Sequence, residues 1–181
     1  LHLQSDYLTA DVSGDFSYTT LSNTCQQFLH TYAPSLFDAP RKPNKNPNQL
    51  NFYAYFRQLN EITNVLDLPV SFPSYPTLKG FINESNQQIG LQAHIPSIQN
   101  EGTQIDNLTI SVENIDDSLD IAVYMYNRLP KDNPTAAKIG DVKLYANLSA
   151  LNDQMQLKIQ LDNTDSIRNE GTIHITSQLM K

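Results

Sequence analysis

The sequence has no tryptophan, one cysteine, and charged side chains at only 17% of its positions. Each shortage excludes something. A single thiol, Cys25, cannot close an internal disulfide or supply a thiolate metal cluster. It sits among Leu and Phe at helical spacing and reads as a small buried hydrophobe. No apolar run approaches the roughly 20 residues that a membrane-crossing helix needs. Lys and Arg number 12 against 19 Asp and Glu, a net charge of −7. Phosphate backbones and anionic membrane surfaces are both held by clustered cations, so this balance argues against nucleic acid and against electrostatic docking on lipid headgroups. No Gly-rich phosphate loop, nucleophile elbow or catalytic triad pattern is present. His2, His30, His94 and His174 lack metal-ligand spacing. The acidic pairs Asp116-Asp117 and Asp162/Asp165 lack the Asp-x-Asp-x-Asp-Gly pattern of a calcium loop. The expectation is a chain that is not an enzyme and needs no metal or cofactor.

What fills the sequence instead is alternation. Leu8, Ala10, Val12, Gly14 and Phe16 fall on one side of an extended segment, and Thr9, Asp11, Ser13 and Asp15 on the other. The same period of two returns at Leu50–Phe56, Leu78–Ile82, Ile89–Ile95, Leu108–Val112, Leu119–Met125, Val142–Leu148, Met155–Leu161 and Ile173–Ile175. Short polar turns between such runs predict an antiparallel meander with one apolar face. Between Thr20 and Phe37 the period changes: Leu21, Cys25, Phe28, Leu29 and Tyr32 predict a short amphipathic helix, capped by Thr20 or Ser22 and ended by Pro34. Residues 38–49, with Pro40, Pro43 and Pro47 among Lys and Asn, predict a mobile loop or linker. Asn60 to Leu68 allows one or two further helical turns, capped by Asn60. Residues 1–37 thus hold strands and a helix, and 50–181 a multi-strand sheet. The expected fold is mainly β: a curved, antiparallel-looking sheet or trough with one short helix. The alternative is a closed β-sandwich. The chain opens inside a strand pattern without Met, so it reads as a single fragment of a larger protein.

Three stretches carry a resemblance. The run Ser5-Asp6-Tyr7-Leu8-Thr9-Ala10-Asp11-Val12-Ser13-Gly14-Asp15-Phe16 resembles the Bacteroidetes branch of the translocation and assembly module TamB family. The segment Leu21 to Pro34, ending Tyr32-Ala33-Pro34-Ser35-Leu36, is similar to that branch too. So is Thr77-Leu78-Lys79-Gly80-Phe81-Ile82 with Ile89-Gly90-Leu91-Gln92-Ala93-His94-Ile95-Pro96. The resemblance covers about the first 115 residues. It implies an AsmA-like envelope protein anchored in the inner membrane, whose body is a β-trough with a greasy interior. Such proteins cross the periplasm toward an outer-membrane partner of the BamA or TamA kind. They are implicated in phospholipid transport and outer-membrane protein assembly.

A lipid conduit needs an apolar face free of buried charge, because an unpaired charge there is costly. The residues expected to line it are Val12, Phe16, Leu78, Ile82, Leu91, Ala93, Ile110, Ile121, Val123, Leu144, Leu157 and Ile159, with a phospholipid or other acyl-chain ligand. The competing expectation is a cell-surface binding or adhesion module presenting Tyr124 and Tyr126 to a glycan or protein. Asp117-Ser118-Leu119 and Asp165-Ser166-Ile167 resemble the short O-glycosylation acceptor signal of Bacteroidetes.

Overall fold

Alternation becomes architecture in the simplest way available: each strand pairs with the next. A computed structural model describes residues 1–40, 42, 44–100, 103–115, 118–128, 141–163 and 170–178. The elements are β1 (His2–Gln4), β2 (Leu8–Asp15), α1 (Leu21–Tyr32), β3 (Gln49–Phe56), α2 (Leu59–Val65), β4 (Thr77–Asn83) and β5 (Gln88–Asn100). They continue as β6 (Thr103–Ile115), β7 (Ser118–Arg128), β8 (Val142–Leu151), β9 (Gln154–Asn163) and β10 (Glu170–Gln178). All ten strands form one antiparallel sheet in chain order, and it does not close on itself. The architecture is mainly β, fits a curved sheet or trough, and has two helices, the main one α1 and the short α2 over the stretch read as helical turns. A sandwich needs two packed sheets, so that alternative is not the fold adopted.

Local chemistry sets the register. The β8–β9 hairpin turns on Asn152 and Asp153, with φ of 47° and 65°. Both central residues are left-handed, which gives the turn the twist of the strands it joins. β5 runs on through Pro96 to Asn100, although a proline reads as a strand stop. β4 pairs with β5 only as far as His94, and pairing on that side resumes only at the Ser71–Gln99 bridge, so Pro96 falls in a gap between them. The β6–β7 register shifts between Asp106 and Thr109, beside Asn107 at φ 51°. That irregularity is a bulge, which bends the strand locally.

The helices differ from the sequence expectation in instructive ways. The buried stripe of α1 is Thr24, Phe28 and Tyr32, one residue every four. Cys25 is exposed and Leu29 is 38% exposed, which corrects the reading of Cys25 as a buried hydrophobe. Cys25 lies about 100° round the helix from Thr24, and Thr24 is turned inward by a polar partner described below. Thr20 occupies the cap position but makes no capping bond; its hydroxyl donates to the Ser17 carbonyl. Asn60 is not the cap of α2 either. It lies inside the helix and brackets Phe72, accepting from its N–H and donating to its carbonyl.

Candidate functional site

Directly opposed residues in an antiparallel ladder point to the same side of the sheet, so register can be read straight across it. One lateral row runs Val12, Phe52, Gly80, Leu91, Val112, Ile121, Leu148, Leu157, Ile175. The next runs Ala10, Ala54, Leu78, Ala93, Ile110, Val123, Ala146, Ile159, Ile173. Neither row contains a polar side chain from β2 to β10. Met125, Leu144 and Leu161 extend the same face by a partial third row.

Of the expected lining residues, Val12, Leu78, Leu91, Ala93, Ile110, Ile121, Val123, Leu157 and Ile159 fall in the two full rows. Leu144 falls in the partial one. Ile82 shares the face but packs against the cluster around α1. Phe16 lies beyond the last paired residue of β2 and is outside the ladder. At strand spacing, the two full rows cover about 550 Å² in projection, at the upper end of apolar patches on ordinary monomers. Among the described residues no second sheet lies over them. The accessible surface of the chain is 11882 Å², against about 8800 Å² for a compact monomer of this mass.

A helix closes one end of this face. Phe28 and Tyr32 form a cluster with Ala150, and Ile82, Ile89, Leu119 and Met155 pack against it. Those strand residues all sit at the end of the sheet that holds the β4–β5 and β8–β9 turns. Two polar anchors hold α1 there. At the β4–β5 turn, Glu84 is 7% exposed, and its partners among the described residues are neutral donors. Its carboxylate accepts from Thr24 Oγ1 at 2.9 Å, the Asn48 N–H at 2.8 Å and Asn44 Nδ2 at 3.0 Å. Burial pushes this carboxyl up, but donors from Asn48, Asn44 and Thr24 outweigh burial and leave it below the ordinary glutamate value. At the other turn, Asp153 accepts from the Ser35 N–H at 2.9 Å and the Ser35 hydroxyl at 2.6 Å, and its own N–H donates to the Tyr32 carbonyl. Asn48 is 1% exposed, so the segment 38–49 is pinned at Asn44 and Asn48 rather than free along its length. Nothing in the sequence marks Glu84; its partners lie 36 to 60 residues away.

The opposite face is polar and aromatic. Tyr124 pairs with Tyr145 across β7 and β8, each a little over one-third exposed. Tyr126 donates its hydroxyl to Asp141. His94 Nδ1 lies 3.2 Å from Thr109 Oγ1. Among the described residues, no three His, Cys, Asp or Glu side chains converge as metal ligands. No described helix is long and apolar enough to cross a membrane. Asp116, Asp117 and the Asp165-Ser166-Ile167 signal lie outside the described residues, as does the side chain of His174. Ser118 is described, and its hydroxyl donates to Asp120.

No family model, curated protein or solved structure matches the chain.

Proposed function

We propose that the open apolar face is a bed for acyl chains. On this reading the chain is a segment of a longer, TamB-like envelope protein that is anchored in the inner membrane and crosses the periplasm. It carries phospholipid toward an outer-membrane partner of the BamA or TamA kind and serves outer-membrane protein assembly. The observation that supports this is the pair of apolar rows, unbroken across nine strands, beside which α1 packs on the same face. A lipid tail needs uncharged surface and no hydrogen-bond partner, and these rows offer that alone. Two rows span about 13 Å along the strands, close to the roughly 15 Å depth of one bilayer leaflet.

A photo-activatable side chain tests the reading in the full-length protein in cells. At Val123 it is expected to capture phospholipid. At Tyr124, one residue on and facing the other way, it is expected to capture none. Equal yields at both positions, or no lipid at either Val123 or Leu144 in a folded protein, would overturn the proposal.

A further inference from the structure

The polar face holds a groove of about 580 Å³ across β3 to β6. Its walls are two adjacent lateral rows of outward side chains. One row is Tyr53, Lys79, Gln92 and Ser111; the other is Asn51, Phe81, Gly90 and Glu113. The second wall drops at Gly90, where the Phe81 ring lies so close that an added Cβ would come within 2.4 Å of it. The ring thus occupies the space over Gly90 and gives the groove an aromatic side.

We infer that this groove is a binding site for a neutral carbohydrate, independent of whatever lies on the apolar face. Three features of the walls select that chemistry. Tyr53 and Phe81 are 45% and 42% exposed, so two rings offer free surface to the apolar C–H side of a sugar. Asn51, Gln92 and Ser111 supply both donors and acceptors, which suits hydroxyl groups. Lys79 and Glu113 bring one charge of each sign, so the site favours no ionic ligand. A peptide adding itself as a strand is a poor fit, because β3 to β6 are interior strands whose backbone groups are already paired. The volume suits a short oligosaccharide rather than a macromolecule.

The test is an amide NMR titration of the whole chain with cellotetraose, chitotetraose and maltotetraose. At least one is expected to shift the Gly80 and Gly90 amides. Tyr53→Ala should weaken that sugar about tenfold. Gln92→Ala should weaken it measurably, while Tyr145→Ala, on the same face but outside the groove, should not. If Tyr53→Ala fails to fold, Gln92→Ala and Asn51→Ala carry the comparison. Silence of the Gly80 and Gly90 amides with all three sugars would overturn the inference. So would undiminished binding in the folded groove variants.

Discussion

The same apolar face behaves differently at its two ends. Where α1 lies across it, Ala150 is 5% exposed and clusters with Phe28 and Tyr32. Toward the β10 edge no described residue covers the face: Leu161, Ile173 and Ile175 are 42%, 52% and 51% exposed, while the rows between are half-buried. The strands, the residue types and the alternation are alike in both regions. What differs is a helix held by two carboxylate anchors and, for Ile173 and Ile175, a place on the edge strand β10. The covered end is therefore where packing stabilises the chain, and the open rows are where apolar surface remains available to something else.

Substitutions should separate the regions cleanly. Ala150→Asp puts an unpaired charge into the sealed end and is expected to cost at least about 3 kcal/mol, enough to unfold much of the chain. Phe28→Ala removes the helix's main contact and should cost about 3 kcal/mol by urea denaturation. If either change were as mild as one on the open rows, the two ends would not differ and the comparison would fail.

Glu84 should come next. Glu84→Ala leaves Thr24, Asn44 and the Asn48 N–H without their acceptor and is expected to cost about 2 kcal/mol. Because its carboxyl titrates below the ordinary glutamate value, its contribution is complete above that value and fades as pH falls through the folded one. Denaturation midpoints between neutral and acid pH should therefore fall less steeply for Glu84→Gln than for the parent. An identical acid slope would mean that the anchor is not the charged form of Glu84.

The smallest effect belongs to the far edge of the sheet. His2 Nδ1 lies 2.6 Å from Asp11 across β1 and β2, with both side chains exposed. The hydrogen bond and charge of Asp11 raise the His2 value above that of a free imidazole. Any stabilisation is present below the ordinary imidazole value and is lost as pH rises through the raised one. NMR titration of His2 should show that elevation disappear in Asp11→Asn, with no measurable change in stability.

Much of this was legible from alternation alone. The period of two located β2 to β10 and assigned Val12, Leu91, Val123 and Leu157 to apolar faces, because side-chain direction in a strand follows from position. It could not join those faces into rows, because register depends on turns and bulges such as Asn152-Asp153 and the shift near Asn107. The α1 stripe was misjudged at Cys25 for a related reason. Hydrophobicity favoured the cysteine, but a hydrogen bond to Glu84, distant in sequence, turned Thr24 inward instead. β5, for its part, extends past its last alternating residue, Ile95, to Asn100.

The central claim is that the open rows hold acyl chains without holding the fold together. Val123→Asp tests both halves at once. It leaves the backbone ladder of β7 intact and should cost no more than about 1 kcal/mol, while setting a charge in the middle of the apolar row. The measurement is native mass spectrometry of the parent chain and the variant, each mixed with phospholipid, beside a urea melt of both. The account predicts a lipid adduct on the parent and a variant that folds alike but carries no lipid. A variant that unfolds, as a closed core would, or that folds and keeps its lipid, would contradict it.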